Sequence, residues 1–305
     1  MTSLAETDAV QPDWSGPLTP SGNLRRREAV SRLITGGAVA AAAIAVAMLV
    51  IVVYDVGRRG SKFLSFSFVT HNTVGLGGGG IANALLGTGV IVAFAALIAV
   101  PVGVLMGLYL TEFAGTSSRS AGALKLVLDL LQGLPTIVVG LFIYGLIVLA
   151  EHKQTGFAGS VALAIVMLPL IARASQEVLG LVPGTLRDAA DALGVSRWRT
   201  VVGVILPAAA GGIMTGAILA IARAAGETAP LLICNSLYDA NATQFNIFGH
   251  GVPSIPMYIF QVSDLPDPDA LSHAWAAAFV LLIGILLANI GARVLVARSR
   301  RKLSG

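Results

Sequence analysis

Charge is scarce in this sequence. Only 12% of its 305 residues are Asp, Glu, Lys or Arg, against roughly 25% in an ordinary soluble domain. Such a chain cannot cover a large water-facing surface. Cysteine is nearly absent: Cys234 stands alone, which excludes an intramolecular disulfide and any CxxC metal site. Lysine occurs only at positions 62, 125, 153 and 302, after Ser, Leu, His and Arg. A phosphate-binding P-loop needs Gly immediately before Lys, so ATP binding and hydrolysis through a Walker site are excluded. No HExxH or GxSxG segment occurs, which removes the zinc-protease and serine-hydrolase templates. His71, His152, His250 and His273 fall in or beside predicted loops without ligand-like spacing, and they read as solvated loop residues. The chain is expected not to be an enzyme and to hold no metal or cofactor of its own.

What is present is apolar. Hydrophobic residues make up 55% of the chain and the mean hydropathy is +0.82. A helix needs a run of about 20 predominantly apolar residues to cross the hydrocarbon core, and six runs are read, the fifth interrupted by Arg223 and Glu227. They are Leu33–Val53, a helix within Ile81–Thr111, about Leu130–Ala150, about Thr155–Ala172, about Ala208–Ser236 and Ala274–Ala292. Pro101 marks an expected kink or break in the second. The first is too long for a signal-peptide core and lacks a cleavage pattern, so it is read as retained. The predicted fold is an all-α integral membrane protein of six transmembrane helices. Its expected organisation is a polar tail over 1–32, a permease domain over 33–297 and a basic C-terminus over 298–305.

Basic residues set the orientation. With both termini in the cytoplasm, 15 of the 20 Lys and Arg fall on that side, as the positive-inside rule requires. Arg58, Arg59 and Lys62 go against the bias. The segment 237–273 holds no Lys or Arg but carries Asp239, Asp264, Asp267 and Asp269, as an external loop does. The net charge of +4 is thus a topology signal. Apart from Trp198 between Arg197 and Arg199, the arginines are not interleaved with aromatics, and no nucleic-acid footprint is seen.

Between the fourth and fifth runs, on the predicted cytoplasmic side, lies an alanine-rich polar island over 185–207, within a loop of about 173–207. Thr185 and Asp188 fit a capping box, Gly194 sits where a short helix needs a left-handed stop, and Ser196 offers a second N-cap. Taken alone, these features describe either a capped connector or a docking surface. Two other groups carry candidate chemistry. Arg223 and Glu227 lie four apart, on one face of the predicted fifth span. A charge there costs roughly 2.5–3.5 kcal/mol even on lenient insertion scales, so the pair is either a structural ion pair or part of a polar pathway. Arg173, after Pro169, is either an ordinary basic helix end or part of that pathway. The glycine run Gly75–Gly80 reads as a flexible lead into the second span or an anion-binding nest, and Ser117–Leu131 as an amphipathic helix along the interface.

The island resembles the cytoplasmic signature of ATP-binding-cassette importer permeases, written E-A-A, three residues, G, nine residues, I, any residue, L-P. Asp188-Ala189-Ala190, Gly194 and Val204-Ile205-Leu206-Pro207 match it, with Asp188 for Glu and Val204 for Ile. Four further segments resemble the PstA-type phosphate permease family: Gly78–Leu85, Pro135–Phe142, Gly212–Gly216 and Ile221–Leu232. The likeness covers roughly 75–297. It implies a type I importer (MetI-like) fold in a bacterial plasma membrane. It also implies that Asp188, Ala189, Ala190, Gly194, Leu206 and Pro207 couple to the ATPase, and that Arg223, Glu227 and Arg173 serve substrate translocation. The implied partners are a PstC-like permease, a PstB-like ATPase dimer holding ATP and Mg, and a PstS-like external phosphate-binding protein. A permease for sulfate or molybdate and an ion-coupled secondary carrier are the alternatives.

Overall fold

The computed structural model describes residues 24–74, 78–115, 118–235 and 246–303. The tail before Leu24, Gly75–Gly77 of the glycine run, Ser117, and the first part of the acidic loop including Asp239 lie outside the described residues. The chain divides into two units, Met1–Asp55 and Val56–Gly305. The described part of the first is a single helix, the start of α1 (Leu24–Gly60). Its apolar side chains from Leu33 to Val53 are exposed, as a lipid-facing run requires.

The second unit begins with the end of α1. There Gly57 and Gly60 rest against Phe279 and Trp275, and Arg59 lies 4.9 Å over the Trp275 ring. A short helix α2 (Phe66–Thr70) is capped by Ser65, whose hydroxyl accepts from Phe68 N–H at 3.1 Å. A two-residue hairpin follows, β1 (Thr73–Val74) and β2 (Gly78–Gly79), paired Thr73 with Gly79 and Val74 with Gly78. Gly79 has φ +74°, and a Cβ on Gly80 would collide with the carbonyls of His71 and Phe68. The N–H groups of Gly80, Ile81 and Ala82 donate to Asn72, Phe68 and His71 carbonyls. The described glycines therefore lie close against the backbone of Phe68–Val74, and these donors are not available as an anion nest.

The core lies between three long helices. They are α3 (Ala82–Leu108, running into a π turn at Tyr109–Phe113), α7 (Gly156–Gly180) and α10 (Leu206–Ala224). Ile91, Leu163, Met167, Ile171 and Ala220 fill it. Small residues set the close approach: Gly103 faces Ile171, Gly107 faces Ser175 and Gly216 faces Ala174. Close approach of helices through glycine and alanine suits lipid, where no hydrophobic drive brings them together. α3 is continuous through Pro101, so of the expected kink or break, no break occurs.

Between α3 and α7 the chain forms α4 (Arg119–Gly133), then α5 (Thr136–Ile143), a π turn at Tyr144–Val148 and α6 (Leu149–Glu151). The two halves meet at 106°. Leu134 precedes Pro135 and is extended, with ψ 136°; a residue before proline is pushed out of the helical region. The expected third span thus begins at Thr136 rather than Leu130. The amphipathic segment is a separate helix, capped by Ser118 and burying Ala121 and Leu128.

After α7 come α8 (Gly184–Ala192), α9 (Arg197–Thr200) and a third π turn (Val201–Ile205) that runs into α10. The chain ends with α11 (Ala229–Cys234), α12 (Ile255–Ser263) and α13 (Pro268–Leu303). Among the described residues five helices are long and apolar enough to cross a bilayer, or six where the bent pair counts as one span. The fifth span is Arg197–Ala224, shifted from the expected Ala208–Ser236.

Residues 246–254 are built into the helical framework. Asn235 donates to Val252 O at 2.6 Å and accepts from Val252 N–H at 2.9 Å. Gly156 and Phe157, at the start of α7, donate to His250 and Ile247 carbonyls, which satisfies N–H groups that a helix start leaves unpaired. Thr88 accepts from Ile255 N–H at 2.9 Å, and a Cβ on Gly87 would strike the Pro253 carbonyl. Gly87→Ala is expected to cost about 1–3 kcal/mol through overpacking. It should lower the thermal midpoint in detergent, whereas Gly89→Ala, with open space at its Cβ, should leave it unchanged.

Candidate functional site

The island is a helix–stop–helix. α8 starts one residue before Thr185, with Pro183 at the N-cap and no side-chain cap bond. The capping box is therefore not formed, because Pro183, with ψ 134°, ends the extended approach earlier than Thr185 could. The stop is as expected. Gly194 has φ +66°, Val195 N–H donates to Ala190 O at 3.0 Å, and Gly194 N–H donates to Asp191 O at 3.0 Å. Those two bonds define a Schellman motif. Ser196 is the N-cap of α9 by backbone geometry, without a side-chain bond. Ala190 is buried, while Leu186, Leu193, Val195 and Trp198 are exposed.

One carboxylate anchors the island. Glu112, in the π turn that ends α3, has a fully buried side chain. Arg187 donates to it from Nη2 at 2.6 Å and from Nε at 3.2 Å to each oxygen. The same guanidinium donates to Val182 O at 2.8 Å and Leu179 O at 3.0 Å. Arg197 donates from Nε to the Glu112 carbonyl at 2.7 Å and places Nη2 3.6 Å from the carboxylate. The hydrogen bond to Glu112 holds the Arg187 pKa above its ordinary value. Sequence reading missed Glu112. The one available signal was a lone acid at the end of a 31-residue uncharged stretch, since such a charge needs a partner.

The residues expected to serve translocation are not gathered into one cluster. Arg173 lies inside α7, not at its end, and pairs with Asp129 of α4 and Gln176 of its own helix. Arg223 sits in the last turn of α10 with its side chain 61% exposed, and Glu227, 17% exposed, is 3.7 Å away. The helix ends at Ala224, and the link to α11 turns through Gly226, whose N–H donates to Arg223 O at 3.1 Å. Arg223 and Glu227 therefore form an ion pair across a helix break and do not share one continuous helical face. Leu206 and Pro207 follow the third π turn, so Pro207 lies inside the continuous span Arg197–Ala224. The fold also brings His71 and His273 to one cleft of about 480 Å³ beside the hairpin, with His273 stacked 5.6 Å over Phe68.

The family model described as the binding-protein-dependent transport system inner membrane component matches residues 99–301. That range holds the island, its anchor and the Arg223–Glu227 break. The chain belongs to this family.

Among relatives of this permease, it is similar to the phosphate transport system permease protein PstA of Yersinia pestis. The two are 36% identical over 257 residues, covering 83% of this chain and 85% of the relative. The Pasteurella multocida protein of the same name is 37% identical, covering 80% and 86%. PstA 1 of Mycobacterium tuberculosis strain H37Rv is 37% identical, covering 74% and 73%. Two solved structures share the permease fold. A MetNI methionine ABC transporter chain in an inward-facing conformation has a TM-score of 0.55 at 19% identity, covering 72% of this chain and 93% of its own. A bacterial alginate ABC transporter chain has a TM-score of 0.61 at 14% identity, covering 91% and 98%.

Proposed function

We propose that this permease is one half of the translocation pore of an ATP-driven phosphate importer, with a PstC-like permease as the other half. The island faces the cytoplasm and seats on a PstB-like ATPase dimer, and a PstS-like protein delivers phosphate from outside. The observation that carries the reading is the island itself. A Schellman-closed helix, braced on a buried ion pair, presents Leu186, Leu193 and Trp198 outward. No Gly-Lys pair exists in the chain, so ATP and its Mg ion belong to the partner. The phosphate assignment is supported by the relatives' names and by 36–37% identity over most of the chain.

Arg223 is proposed to offer its guanidinium fork to phosphate oxygens, with Glu227 balancing its charge between substrates. An ion pair at 3.7 Å is loose enough to exchange partners, and a pathway must bind weakly enough to release. Arg173, already held by Asp129 and Gln176, is less available, and its proposed part in translocation is secondary. Vesicles holding all four components should take up labelled phosphate, with no competition from a hundredfold excess of sulfate or molybdate. Competition by either anion would favour the alternative oxyanion substrate.

A further inference from the structure

Glu112 is joined to the island at both of its arms. Arg187 lies on α8 and Arg197 on α9, on opposite sides of the Gly194 stop, 75 and 85 residues from Glu112 in sequence. The carboxylate is fully buried while Arg187 is 22% exposed. A buried carboxylate cannot give up its counter-charge without a large desolvation penalty, so displacement of α8 must carry Glu112 with it. Arg187 also donates to the Leu179 carbonyl in the last turn of α7 and to the Val182 carbonyl just beyond it. A cation at that helix end complements the helix dipole. One guanidinium thus ties together the end of α3, the end of α7 and the start of the island. Phe113 and Trp198, with ring centroids 6.2 Å apart, add an apolar contact between the same elements. Further along, α3 and α7 stay in close contact through Gly103 and Gly107.

We propose that Glu112 is the joint that makes the island and the second span move as one body. Force applied to α8 then reaches the α3–α7 pair directly instead of being lost in a flexible loop. Glu112 is a positioning residue: it acts through Arg187 and Arg197 and touches neither substrate nor nucleotide. The proposal rests on the importer reading above.

The test places spin labels at Asp191 on the island and at the exposed Leu105 of α3, in the full complex reconstituted with its partner subunits. The distance between them is measured without nucleotide and with ATP plus vanadate, in vesicles assayed in parallel for phosphate uptake. A narrow distance that is the same in both states is expected. In Glu112→Gln the distribution should broaden, and phosphate imported per ATP hydrolysed should fall at least tenfold while ATP hydrolysis continues. A wild-type distance that changes between the two states in transporting vesicles overturns the joint, as does an unchanged phosphate-to-ATP ratio in the variant. The wild-type measurement decides the matter even if the variant does not assemble. Vesicles in which ATP drives no uptake would instead remove the importer reading, and the joint with it.

Discussion

Arg223→Gln is expected to lower phosphate uptake by about 10- to 100-fold while the complex assembles at its normal yield. The magnitude follows from losing one charged hydrogen-bond donor to the anion, worth about 1.5–3 kcal/mol, at 1.4 kcal/mol per tenfold. Assembly should survive because the side chain is 61% exposed and its ion pair with Glu227 spans 3.7 Å. Uptake of labelled phosphate and the yield of purified complex separate the two roles. Loss of assembly in step with uptake would make the pair a structural lock.

Gly194→Val is expected to uncouple ATP hydrolysis from transport. No atom lies within 4 Å of the position a Cβ would take at Gly194, so crowding is not the reason. The backbone is: φ is +66°, a region that costs a non-glycine residue about 1–3 kcal/mol and a β-branched one most. Losing the left-handed turn would release the bonds from Val195 to Ala190 and from Gly194 to Asp191 and splay α8 from α9. ATP hydrolysed per phosphate imported should rise several-fold. Gly194→Asn should stay near wild type, because asparagine tolerates this conformation. An unchanged ratio in the valine variant would make the island a passive connector.

The spans and the island were legible in the sequence because both signals are local. Uncharged runs mark lipid-crossing helices, and Gly194 marks a helix stop. Boundaries were less legible where two local signals competed. Thr185 and Asp188 have the chemistry of a capping box, yet Pro183 starts the helix earlier and leaves Thr185 inside it. The apolar pattern runs on past Ala224 as though the helix did. Pro230, however, sits in the first turn of α11, where proline signals a new start, and the break falls between. Long-range partners left no local trace. Nothing near Glu112 points to Arg187 or Arg197, and nothing near Gly87 shows that Pro253 will lie against it. Such pairings are set by how α3, α7 and the 246–254 segment pack, which a pattern along the chain does not encode.

The coupling of this permease to a separate ATPase is tested most directly by phosphate uptake into vesicles containing this chain, its partner permease, the ATPase and the binding protein. Uptake should require both ATP and the binding protein, and should vanish when either is omitted. Uptake by this chain alone, driven by an ion gradient without ATP, would contradict the account.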